Sequence, residues 1–67
     1  MSQILILREK AGLSQEKLAE LVGVTQGAVH QWEKGLTTPA TGKLKIIATI
    51  LNCTVDELLP DSDNMQQ

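Results

Sequence analysis

The 67-residue sequence contains no phenylalanine and no tyrosine, and only one tryptophan and one cysteine. A lone cysteine cannot form an internal disulfide, and Cys53 together with the single histidine, His30, falls short of any zinc-ligand spacing. A disulfide-stapled or metal-stapled fold is excluded, no metal or cofactor is expected, and the scarcity of cysteine fits a reducing compartment. The longest apolar run is residues 4–7. Roughly 18 apolar residues are needed to span a bilayer, and a secretory h-region is also longer than this run. The chain is therefore expected to be neither spanning nor exported, with the cytoplasm as its address. No nucleophile, base and orienting group converge in the sequence, and there is no glycine-rich phosphate loop, so an enzyme is the poorest reading and no small-molecule ligand is evident.

Without staples, everything rests on one small core. A chain of this length buries only about 60% of the surface its unfolded form exposes. Such a core seldom supplies more than about 3–5 kcal/mol, so efficient local structure and a partner are both expected. The net charge is −2, but it is unevenly placed. All six basic residues (Arg8, Lys10, Lys17, Lys34, Lys43 and Lys45) fall in residues 1–55, against four glutamates. The last twelve residues hold four acids and no base. A mildly basic body carries an acidic end.

Punctuation by Gly, Asn and Pro divides the chain into five short apolar-periodic pieces without sustained alternation, which predicts an all-α fold. The first, about residues 2–11, places Ile4, Leu7, Arg8 and Ala11 on one face before Gly12, although residues 3–7 also fit a strand. Ser14 is the expected N-cap of a second helix that turns Leu18, Leu21 and Val22 inward until Gly23. Thr25 caps a third, about residues 26–33, with Ala28, Val29 and Trp32 on one face and Lys34 and Gly35 at its end. Residues 36–40 read as a loop. A fourth helix spans about 41–51 and closes at Asn52, with Thr38 and Pro39 as an alternative start. Thr54 and Glu57 form a capping box ahead of Val55, Leu58 and Leu59, and residues 61–67 read as an acidic flexible tail.

Residues 15–34 depart from an ordinary helical hairpin. Two short helices meet through Leu21, Val22, Gly23, Val24 and Thr25, with a glycine at the corner and the small Ala19 facing the second helix. Leu18, Val22, Val24, Val29 and Trp32 fill the wedge. This pattern resembles the helix-turn-helix of the phage-repressor family (lambda and 434 repressors, Cro-type, XRE). The likeness extends over about residues 3–59, taking in Leu7-Arg8-Glu9, Trp32-Glu33-Lys34-Gly35, and Ile47-Ala48 with Leu51.

The resemblance implies a compact five-helix, lambda-repressor-like DNA-binding domain over residues 1–60. Its third helix would dock in the major groove of double-stranded DNA, and a homodimer on a palindromic operator would repress transcription. The outward strip of that helix is Gln26, Gly27, His30 and Gln31. Gln can pair bidentately with adenine and His can donate to guanine, so the strip suits the reading of base edges. The family's glutamine at Gln15 contacts phosphate and braces Gln26, and the eleven-residue spacing is kept. Other candidate phosphate contacts are Ser14, Thr25, Lys34, Thr37, Thr38 and Lys43, from helix N-termini, loop hydroxyls and lysines. Many relatives carry Arg or Lys where this chain has Leu36, Thr37 and Thr38, so affinity should be modest and depend more on hydrogen bonds than on counterion release.

Plainer readings compete at several positions. Trp32 is read as core rather than a base-stacking platform, which needs several aromatics. Arg8 and Glu33 are read as the family's structural ion pair in preference to a phosphate role for Arg8. Cys53 is read as core in preference to a redox switch. His30 could be an idle surface residue, and Gly27 either permits close approach to the groove or is drift. In the fourth helix Leu44, Ile47, Ala48 and Leu51 form the core face, leaving Ile46 and Ile50 opposite; with Leu58 these make the expected dimer patch. The competing function is a protein-binding helix-turn-helix module such as an antitoxin or anti-repressor, which the acidic total would suit.

Overall fold

A side-chain oxygen or a left-handed residue stands at most of the helix boundaries. The computed structural model describes residues 3–59, so the proposed tail at 61–67 lies outside the described residues. The elements are α1 (Gln3–Lys10), α2 (Gln15–Val22), α3 (Gln26–Lys34), α4 (Thr41–Leu51) and α5 (Val55–Leu58), with no strand among the described residues. Residues 3–7 are thus helical. One turn separates Ile4 from Leu7 and Arg8, and that spacing lets α1 lie against α3 and α5.

Ser14 Oγ accepts the amide of Lys17 at 3.0 Å and Thr25 Oγ1 that of Ala28 at 3.2 Å. The capping box of α5 is complete, with Glu57 N donating to Thr54 Oγ1 at 3.1 Å and Thr54 N to Glu57 Oε1 at 2.8 Å. α4 begins at Thr41 with Ala40 as N-cap and no side-chain cap bond, so the alternative start at Thr38 and Pro39 is not used. Pro39 is instead buried in the connection between α3 and α4. Asn52 ends α4 at φ 57°, one of the few non-glycine types that tolerate this region.

Leu18, Val29 and Ile47 are fully buried and bring α2, α3 and α4 to a common centre. Ile4, Ala19, Val22, Trp32, Leu44, Ala48, Leu51 and Leu58 complete the core. Four apolar positions depart from the burial expected of them. Leu21 was expected inward but is 46% exposed, because Leu18, Ala19 and Val22 already occupy the side of α2 that faces α3 and α4. Ala11, beyond the end of α1, is exposed. Leu58, expected in a dimer patch, is 7% exposed inside the core of its own chain, since α5 turns back onto α4 and α1. Ile50 is half-buried against the core and only Ile46 of that set, at 41%, stands out. Cys53 is also half-buried against the core, and burial, reinforced by the Glu57 charge, pushes its thiol up from the usual value. That favours the unreactive neutral form.

Gly23 and Gly42 separate backbone conformation from space. Neither would have its Cβ within 4 Å of another group, but Gly23 sits at φ +89° while Gly42 is helical. Gly23→Ala should therefore cost about 1–2 kcal/mol in urea unfolding. Gly42→Ala should be stabilising by about 0.5–1 kcal/mol. A neutral Gly23→Ala would mean that the corner relaxes away from its left-handed geometry.

Candidate nucleic-acid interface

The corner between α2 and α3 is set by two amides on one carbonyl. Gly23 N and Val24 N both donate to Ala19 O, at 2.8 and 3.0 Å. Ala19 is 3% exposed, and its small side chain lets α3 pack closely, with Val29 and Trp32 anchored in the core. Once those two residues point inward, no element among the described residues covers the opposite side of α3. Gln26, Gly27, His30, Gln31 and Lys34 are all exposed there. Residues 26, 30 and 34 form one row and 27 and 31 the next, since residues four apart are neighbours on a helix surface.

A polar relay ties this face to the rest of the fold. Arg8 Nε donates to Glu33 Oε2 at 2.6 Å and Arg8 Nη2 to Glu33 Oε1 at 3.3 Å. Arg8 Nη1 donates to the Leu13 carbonyl at 2.7 Å. The two side chains are only 11% and 5% exposed. The hydrogen bonds to Glu33 raise the Arg8 pKa further above its ordinary value against the opposing effect of burial, so the guanidinium stays charged. Arg8 is a structural cation, as expected for the ion pair, and its hydrogen-bonding fork is turned inward.

Glu33 Oε1 also accepts from Gln15 Nε2 at 2.8 Å. A carboxylate needs a donor, so the amide nitrogen of Gln15 must face Glu33 and its oxygen must face away. That oxygen accepts from Gln26 Nε2 at 3.4 Å, a long contact that nonetheless orients the amide. Among the described residues, the oxygen and the second amide hydrogen of Gln26 have no partner. One acceptor and one donor in a plane form the edge that a glutamine offers to adenine.

The candidate phosphate ligands come from the starts of α2 and α3, the end of α3 and the connection after it, and the first turn of α4. Ser14 and Thr25 are exposed, but their hydroxyls already accept cap bonds. Gln15 is half-buried and has both amide heavy atoms engaged. Lys34, Thr37 and Thr38 are exposed at and beyond the end of α3, and Lys43 is half-buried in the first turn of α4. The family resemblance pairs Arg8 with Glu33 and Gln15 with Gln26, and in the structure Glu33 links the two pairs. No spacing rule connects residues 15 and 33, because their proximity follows from the crossing of α2 and α3. The loop position Leu36 is 68% exposed.

The model of the helix-turn-helix family HTH_3 matches residues 4–58. The HTH-type transcriptional activator BcrR of Enterococcus faecalis is 42% identical over 53 residues, which is 79% of this chain and 26% of that protein. The chain spans only about a quarter to under half of the length of the first curated relatives it matches. The c2 repressor of Salmonella phage P22, solved in complex with a synthetic operator, is similar with a TM-score of 0.80 and 36% identity, over 84% of this chain and 85% of that one. The restriction-modification controller protein C.AhdI from Aeromonas hydrophila gives 0.77 and 33%, over 85% and 86%. No helix among the described residues is long and apolar enough to cross a membrane.

Removing one partner of a nearly buried ion pair strands the other. Glu33→Ala should cost about 3 kcal/mol in urea unfolding. A double-mutant cycle with Arg8→Ala should return a coupling of about 1 kcal/mol or more. Two additive, individually mild substitutions would show that α1 and α3 are held together by apolar packing alone.

Proposed function

The chain belongs to the helix-turn-helix family HTH_3 of DNA-binding transcription regulators, not a class of enzymes, and on that premise we propose a sequence-specific regulator of the phage-repressor kind. In this reading residues 1–60 form the DNA-binding domain, residues 15–34 the motif and about 26–33 the helix that enters the major groove of double-stranded DNA. Residues 61–67 are an acidic tail. The protein acts in the cytoplasm as a homodimer on a palindromic operator and represses transcription. The observation that carries the reading is the exposed polar face of α3, whose first residue is oriented by a relay reaching back to Arg8. The operator complex of the similar P22 c2 repressor supports DNA as the partner.

Gln26, Gly27, His30 and Gln31 face base edges. Ser14, Gln15, Thr25, Lys34, Thr37, Thr38 and Lys43 face phosphates, Gln15 through its second amide hydrogen or its backbone amide at the start of α2. Only Lys34 and Lys43 in this set are cations. Counterion release should therefore give a log–log salt slope of only about −2 per protomer. Enrichment of duplexes from a random pool tests the reading directly, and a protein-binding module would enrich none. On the enriched duplex, Gln26→Ala should cost about 1–3 kcal/mol and leave heterologous DNA nearly unaffected. Lys43→Gln should weaken every duplex alike and flatten the slope by about 1. Equal losses on both DNAs for Gln26→Ala would remove it from the bases.

The dimer is assigned to the outer side of α4 at Ile46, with the exposed edge of Ile50. Pairing there would set two reading helices on successive major grooves, about 34 Å apart. Ile50 is partly core, so the informative variant is Ile46→Glu. It should remain folded, sediment as a monomer at micromolar concentration and lose most operator affinity. A variant that still sediments as a dimer places the interface elsewhere.

A further inference from the structure

Two amides that meet side by side carry no direction of their own. Each offers an oxygen acceptor and two N–H donors on one planar end, so either Gln15 or Gln26 could be the donor to the other. The contact between them, from Gln26 Nε2 to Gln15 Oε1, is long at 3.4 Å and does not choose between the two arrangements. Glu33 does. A carboxylate has no hydrogen to donate, and its Oε1 faces Gln15 Nε2 at 2.8 Å while Oε2 is held by Arg8 Nε at 2.6 Å. Both side chains of the ion pair are nearly buried, which keeps the acid from turning to water.

The direction has a consequence in the groove. With one Gln26 hydrogen given to Gln15, the edge left over is an oxygen acceptor beside one donor, which matches the N6 donor and N7 acceptor of adenine. In the reversed arrangement Gln26 would give up its oxygen and keep two hydrogens, which match the two acceptors of guanine, O6 and N7. We infer that Glu33 is a positioning residue for base choice: acting through Gln15, its carboxylate makes Gln26 select adenine over guanine. The inference rests on α3 being the groove-reading helix. Glu33 itself needs no contact with DNA for this, only its lack of a hydrogen.

Replacing the acid by its isosteric amide provides the test. Arg8 makes its short bond to Oε2 and only a 3.3 Å contact, from Nη2, to Oε1, so in Glu33→Gln the amide oxygen takes the place of Oε2 and the nitrogen faces Gln15. Gln15 must then turn its oxygen to that nitrogen and donate to Gln26. On a duplex enriched by the wild-type protein, the base pair read by Gln26 is the one whose discrimination Gln26→Ala abolishes. There the wild-type protein should prefer adenine to guanine by about tenfold or more, and Glu33→Gln should prefer guanine, with the order at other positions kept. Glu33→Gln combined with Gln15→Glu puts an acceptor-only group back into the relay and should return the preference to adenine, at lower affinity for every duplex because of the added charge. Arg8→Lys weakens the ion pair without reversing the relay; it should lower Tm and still prefer adenine. Gln15→Leu leaves the ion pair intact and should lose most of the preference for adenine, which reads the relay even if Glu33→Gln does not fold. Three outcomes overturn the inference while leaving the groove reading intact: a folded Glu33→Gln that does not prefer guanine, a double variant that does not regain adenine, or a Gln15→Leu with undiminished preference. Failure to enrich any duplex overturns both.

Discussion

The nearly buried pairing of Arg8 with Glu33 is the constraint on which the rest of the arrangement depends. Two short contacts leave little rotational freedom, and the third guanidinium bond, to the Leu13 carbonyl, brings the chain before α2 into the same geometry. One cation therefore relates α1, the entry to α2 and the end of α3. Pairs of this kind add little net stability relative to apolar packing, and their value lies in direction. Here the direction passes on, because the carboxylate that accepts from Arg8 also fixes the amide of Gln15 and, through it, that of Gln26.

The core is complementary to this relay. Helices of eight to eleven residues, as α1 to α4 are, are marginal in isolation. They persist because caps supply partners for end groups and because α2, α3 and α4 each contribute one fully buried side chain to the same core. Trp32 and Val29 hold α3 from within while Glu33 holds its end, leaving the opposite face bare. The overall charge of −2 says little about this face: an exposed lysine closes its row, and half of the acids lie in the last twelve residues.

Much of the fold was legible in the sequence. Ser14, Thr25 and Thr54 cap as their chemistry suggests, and Gly12, Gly23, Gly35 and Asn52 stop helices in the left-handed region. The exposed strip of α3 also follows from the inward phase of Val29 and Trp32. Burial of particular residues was less legible: Leu21 lies out, Leu58 lies in and Ile50 lies between.

The reason is geometric. Hydrophobic spacing and cap chemistry act within one helix, over three or four residues, and by themselves they determined where α2, α3 and α5 run and which way each side chain leaves its axis, while the strand alternative at residues 3–7 and the start of α4 stayed open. Whether that direction ends in water or in protein depends on which other helix covers it, and only the tertiary structure decided that for Leu21, Ile50 and Leu58. The same holds for the junction of Arg8, Gln15 and Glu33. Residues 18 and 25 positions apart become hydrogen-bond partners only when α1, α2 and α3 cross at these angles.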